Sequence, residues 1–158
     1  ENHWYPGLKL TRRAMAEMLM TDVRYPQKGF VLDISHMMLA AGVKTEPDAV
    51  DAILGHIKGL GDMAAHIHTV HLNSAAGVQP QEMDYHPKAD FQTRLMEAFS
   101  YVGNQDPHGP FLDNGIRRVI EAADPEFLVY ELSFKTRETL DEVVRRQDRV
   151  FNKMSDCD

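Results

Sequence analysis

A chain of 158 residues with 43% hydrophobic content can bury one core, so a single folded domain over residues 1–158 is expected. Its net charge of −7 argues against non-specific gripping of a phosphate backbone, which relies on Lys and Arg, so nucleic acid is not the expected partner. No apolar run reaches the ~18 residues of a membrane span, no basic and apolar leader reads as a signal peptide, and the single cysteine, Cys157, excludes an intrachain disulfide framework; a reducing, cytoplasmic setting is expected.

The first predicted element is a helix over residues 11–20, with Thr11 as N-cap and Ala14, Met15, Met18 and Leu19 at helical spacing. The Gly-bounded apolar run "KGFVLDIS" reads as a buried strand, and "HMMLAAG" starts the return towards Gly42. "EPDAVDAILGHIKGLG" is a helix with Pro47 in its first turn. "AAHIHTVHLN" is the second strand, and residues 72–90 form a long loop. "DFQTRLMEAFSYV" places Phe91, Leu95, Met96, Phe99 and Val102 on one helical face. Asp113 is a candidate cap for "NGIRRVIEAA". "PEFLVYELSF" is the third strand, and "RETLDEVVRRQDRVFNK" the last helix.

Strands alternating with helices predict an α/β protein of parallel βα units. Parallel strands buried on both faces read as continuous apolar runs, as "GFVLDI" and "EFLVYEL" do. Functional residues in such sheets sit beyond the carboxyl ends of the strands. Read that way, the first strand ends at Asp33 with His36 just past it, the second at His71, and the third at Glu131. A strand preceding residue 1 would end at Glu1-Asn2-His3. Carboxylate and imidazole ligands in one mouth suit Mn²⁺, Mg²⁺, Co²⁺ or Zn²⁺, and carboxylates so gathered repel unless a cation neutralises them.

Each of these residues also has an ordinary reading. Asp33 alone is equally a helix N-cap, and His36 alone a capping or surface histidine. His66 and His68 have the opposite strand parity to His71 and are expected against the helix layer. His56 is expected to be solvated, and His3 is left undecided. The methionine-rich segments read as packing, and Arg145, Arg146 and Arg149 as a solvated helix face.

The ordered set "EN", "GFVLDISH…AAG", "HTVHLN" and "FLVYELSF" resembles the carboxy-terminal half of the xylose-isomerase-like TIM-barrel superfamily. That superfamily includes sugar and sugar-phosphate isomerases, ketose epimerases and endonuclease IV. The resemblance implies the carboxy-terminal half of a (β/α)₈ barrel, with a divalent metal ion held by Glu1, Asp33, His71 and Glu131. It implies proton transfer by Glu1 and Glu131, and substrate contact by His36, Asp106 and His108. The family's Asp-x-His after the "HLN" strand has two candidates, Asp84–His86 and Asp106–His108. The second precedes "GPF" and a helix, as in the sugar-processing members, and is favoured.

The implied function is isomerisation or epimerisation of a sugar, sugar phosphate or related polyol. The alternatives are an endonuclease IV-like phosphodiesterase or a non-catalytic fragment that keeps the fold. The first alternative lacks the acidic-basic residues that follow the histidine in that branch. A full barrel needs about 250 residues, so a fragment, a split subunit or a self-associating half-barrel is expected. Either of the last two would pair with an amino-terminal half or with a second copy along its open strand edges.

Overall fold

In the computed structural model, which describes residues 1–4, 11–78 and 90–152, the short apolar runs form β1 (Phe30–Asp33), β2 (Ile67–Leu72) and β3 (Phe127–Tyr130). They make one parallel sheet in the order β1–β2–β3. Around it run α1 (Arg13–Asp22), α2 (Ile34–Ala41), α3 (Glu46–Leu60), α4 (Phe91–Gln105), α5 (Ile116–Ala123) and α6 (Arg137–Asn152). A 3₁₀ turn over Gly61–His66 leads into β2. The architecture is α/β with parallel βα units.

The helices start and stop where local chemistry directs. Asp33 caps α2, its side chain accepting from the His36 amide, and Gly42 ends that helix with a left-handed φ of 68°. Thr45 caps α3, which carries Pro47, Glu46 and Asp48 at its start and Lys58 in its last turn, as the helix dipole favours. Val50, Ile53, Ile57 and Leu60 of α3 are buried along one stripe. Each contributes about 1.5–3 kcal/mol relative to exposure. They join Ile116 and Val119 of α5 and Leu32, Val70 and Leu72 of the sheet in one core. At the entry to β1, a Cβ on Gly29 would stand 2.7 Å from His68 Nδ1 and 2.9 Å from the His66 carbonyl, so only glycine lets the two segments approach.

The sheet's two faces differ. Leu32, Val70 and Leu72 are buried under helices, whereas on the opposite face Phe127 and Val129 are 61% and 41% exposed. Val129 pairs with His71, which pairs with Asp33, so the uncovered face carries Asp33 and His71 at its carboxyl end. Burial of β3 on both faces, expected from its apolar run, is therefore not observed, because β3 is an edge strand with that face uncovered. The β1 edge is partly covered: the Asn2 amide donates to the Val31 carbonyl at 3.4 Å. Trp4 is buried, its ring 5.3 Å from that of Tyr101.

Other local expectations are corrected. Arg12, not Thr11, is the N-cap residue of α1, and it makes no side-chain capping bond. Asp113 Oδ1 accepts from the Gly115 amide in a turn ahead of α5 and does not cap the helix. His56 is half-buried rather than solvated, and burial lowers its pKa against a contact with the Thr11 backbone. The apolar stripe of α4 is exposed at Phe91, Met96 and Phe99. Met37 and Met38 pack in the core, and Arg145, Arg146 and Arg149 are exposed. Asp84, His86 and Cys157 lie outside the described residues.

Candidate metal centre

β1 and β2 deliver Asp33 and His71 as direct ladder partners. Glu131 follows β3 by one residue and has the parity of Val129, so it leaves the strand on the same face. Glu1 reaches the same place from the segment beside β1. Three carboxylates thus surround one imidazole nitrogen: His71 Nδ1 lies 2.7 Å from Glu131 Oε2, 3.5 Å from Asp33 Oδ2 and 3.9 Å from Glu1 Oε2. Glu1, Asp33 and His71 offer ligand atoms that all lie within 4.8 Å of one another.

Asp33 serves both as cap and as site residue, using different oxygens. Oδ1 accepts from the His36 amide at 2.9 Å and from Ser35 Oγ at 3.0 Å. Oδ2 accepts from Asn73 Nδ2 at 3.1 Å and faces His71. Asn73 in turn accepts the Ser35 amide at 2.8 Å. Asn2 grips the Asp33 backbone from the other side, accepting its N–H at 2.8 Å and donating to its carbonyl at 3.1 Å. Asp33, Ser35, Asn73 and Asn2 are all buried. Burial alone would raise the Asp33 pKa. Contact with His71, the charge of His36 and the donors from His36 and Asn73 outweigh it and hold the carboxyl below the usual range.

The neighbours shift in complementary directions. His71 is raised, first by its contact with Asp33 and then, against burial, by the charge of Glu131. Burial pushes Glu131 up; the charge of His71 opposes the rise and that of Asp33 adds to it.

His36, Asp106 and His108 form a second group beside the first. His36 Nδ1 lies 2.9 Å from the Asn2 carbonyl oxygen and 3.2 Å from Glu1 Oε1, and Nε2 lies 2.9 Å from Asp106 Oδ2. Oxygens close to both ring nitrogens favour the charged imidazolium. Burial opposes that charge, but Asp106, Asp33 and the Asn2 carbonyl prevail and push the pKa up to about 9. His108 Nε2 approaches Asp106 Oδ2 at 3.4 Å. His3 stacks at 5.0 Å from His36 and, with Glu1 and His36, forms a further group of potential ligands.

The donor set fits a divalent cation. His71 Nδ1, Glu131 Oε2, His108 Nε2 and both Asp106 oxygens are buried without a protein hydrogen-bond partner, their close contacts lying off hydrogen-bond geometry. Buried polar atoms are seldom left so. A cation with oxygen-bearing ligands would satisfy both the nitrogen and the carboxylates.

The structure brings Glu1, Asp33, His71 and Glu131 together, and sets His36, Asp106 and His108 next to them. His66 lies elsewhere, edge-on to Phe30 at 6.4 Å, and His68 lies against Gly29. Sequence reading missed Asn2, Ser35 and Asn73 as supports of Asp33, and left His3 undecided. Asn2 and Asn73 flank predicted strand ends, and that position was the one signal available for them. No helix among the described residues is long and apolar enough to cross a membrane. No family model, no curated protein and no solved structure matches this chain.

Proposed function

We propose that the chain is the carboxy-terminal half of a xylose-isomerase-like (β/α)₈ barrel and catalyses metal-dependent isomerisation or epimerisation of a sugar, sugar phosphate or related polyol. The observation that carries this reading is the convergence of Glu1, Asp33 and Glu131 on His71 Nδ1 at the carboxyl ends of parallel strands. The bare sheet face below them, at Phe127 and Val129, is where the opposite wall of a barrel would stand.

Glu1, Asp33, His71 and Glu131 would hold the cation, which acts as a Lewis acid and template for neighbouring substrate oxygens. The protein's own part is proton transfer and orientation. Glu131, raised by burial, is suited to take and return a proton next to a carbonyl, with Glu1 as its counterpart. The His36 imidazolium and His108 orient hydroxyl groups, with the Asp106 carboxylate beside both rings. Pairing with an amino-terminal half-barrel or a second copy would close the mouth and cover β3.

The endonuclease-like reading would enlist His36 in a further metal site with Asp84 and His86, which lie outside the described residues. The sequence after His71, Leu72-Asn73-Ser74, lacks the acidic-basic pair that follows the histidine in that branch, which favours the sugar-processing reading.

A turnover screen of ketoses, aldoses, their phosphates and abasic-site DNA with Mn²⁺, Mg²⁺, Co²⁺ or Zn²⁺ tests the proposal. Sugar interconversion is expected; cleavage of the DNA alone would replace it with the phosphodiesterase, and silence on every substrate would favour a non-catalytic fragment. Glu131→Gln should lower turnover by roughly 10²–10⁴-fold, the usual worth of a positioned acid or base, while metal is retained.

A further inference from the structure

Taking Asp106 and His108 to face the ligand of the metal centre, we propose that Glu46 is the positioning residue that holds their loop over the carboxyl end of β2. Glu46 is the first residue of α3, where an acidic side chain is ordinarily explained by the helix dipole. Its carboxylate does more than that. Oε1 accepts from Ser74 Oγ at 2.8 Å, and Oε2 accepts from the amides of Leu112 and Asp113, each at 2.8 Å. Ser74 continues the segment that carries His71 and Asn73, and Leu112 and Asp113 belong to the loop that follows His108. One carboxylate therefore ties the two sides of the site together.

The loop needs such a tie. His108 has a φ of 42°, a left-handed conformation that a residue with a Cβ keeps only where its surroundings over-determine it. Gly109 exchanges backbone hydrogen bonds with Ser74 at 2.7 and 3.0 Å, and the Ser133 amide donates to the His108 carbonyl at 2.9 Å. Glu46 secures the far end of the same loop. Without its carboxylate, two backbone N–H groups lose their acceptor, and nothing in that contact resists relaxation of His108 towards an ordinary φ. The action is through hydrogen bonds rather than charge. An amide could substitute, its oxygen taking the two N–H donors and its NH₂ donating to Ser74 Oγ.

The test uses the whole chain with and without Mn²⁺, observed by NMR and amide hydrogen exchange. In Glu46→Ala, exchange protection at Gly109 and Ser133 should fall at least ~10-fold with Val70 unchanged, since the loop loses two of its anchoring bonds while the sheet keeps its own ladder. Paramagnetic broadening of the His108 ring protons by Mn²⁺, which falls steeply with distance, should weaken while the Mn²⁺ affinity of the four-ligand centre stays the same. Glu46→Gln should restore both. Unchanged protection and broadening in Glu46→Ala overturn the proposal, as does a Glu46→Gln that behaves like it. If Mn²⁺ leaves His108 unbroadened in the wild-type protein, the metal reading fails, and exchange in the metal-free chain alone decides the role of Glu46. If Glu46→Ala does not fold, Ser74→Ala removes the Oε1 contact, together with the Ser74 Oγ contacts to the Ala76 amide and Met38 Sδ, and leaves both Oε2 contacts in place. It should give a smaller loss of protection at Gly109, and no loss overturns the proposal.

Discussion

Asp33 and His71 face each other directly across the β1–β2 ladder, with Asp33 Oδ2 3.5 Å from His71 Nδ1. Strand pairing fixes the two backbones opposite each other, so the side chains stay neighbours as long as the sheet is intact. His71→Ala removes the nitrogen on which three carboxylates converge. It should weaken Mn²⁺ or Co²⁺ binding by more than the ~10–100-fold that loss of an outer-shell partner typically causes. Calorimetric titration of both proteins checks this, and equal affinities would show that the cation, if any, binds elsewhere.

Asn73 offers a cleaner view of how Asp33 is held. It donates to Asp33 Oδ2 and accepts the Ser35 amide, with no freedom to do otherwise once buried. Asn73→Ala should cost about 1–3 kcal/mol in urea unfolding, because it strands a buried donor and an acceptor. It should also lower metal affinity ~10–100-fold through the loosened carboxylate. A stability loss with unchanged affinity would make Asn73 a packing residue and no more.

Stability of the metal-free chain should depend on pH through His36. Its folded pKa, about 9, lies above its unfolded value, so the stability it contributes is complete below the ordinary histidine value of about 6.5. That contribution is lost as pH rises through about 9. Asp33 works at the other end: its folded pKa is depressed, so its contribution is present above about pH 4 and is lost on acidification. Urea midpoints should fall between neutral pH and pH ~9.5, and His36→Gln should flatten that alkaline slope. A slope that survives the substitution would assign it to another group.

Much of the site can be read along the chain because strand parity is a strong signal: Asp33, His71 and Glu131 end apolar runs with the same alternation. Its supports cannot be read that way. Asn2, Ser35, Asn73 and Glu46 are short polar or first-turn acidic residues that any cap or turn would use. Apart from the Ser35 hydroxyl, which reaches Asp33 two positions away, they act on partners 28 to 67 positions away in sequence, which tertiary packing alone reveals. Asp33 posed a choice between cap and ligand: Oδ1 caps α2, and Oδ2 is left facing His71. The exposure of Phe127 escapes sequence reading for a different reason. An apolar run states what a strand needs to bury, not whether its neighbour is present.

That unmet need yields the last prediction. β3 presents Phe127, Leu128 and Val129 at 61%, 37% and 41% exposure on an edge that pairs with no further strand among the described residues. Edges of this kind pair with other strands unless charge or a bulge prevents it. Glu126 and Glu131 bracket the strand. In an antiparallel two-fold pairing centred on Leu128 and Val129 they would stand opposite each other, and like charges directly opposite destabilise. A parallel partner strand other than β3 itself avoids that clash and matches the direction of the existing ladder. Light scattering at several concentrations should therefore show association, and Phe127→Lys combined with Val129→Lys should abolish it while leaving helix content intact. A wild-type chain that stays monomeric with native helix content would sink the need for a partner. The site would then have to work beside a sheet face open to water.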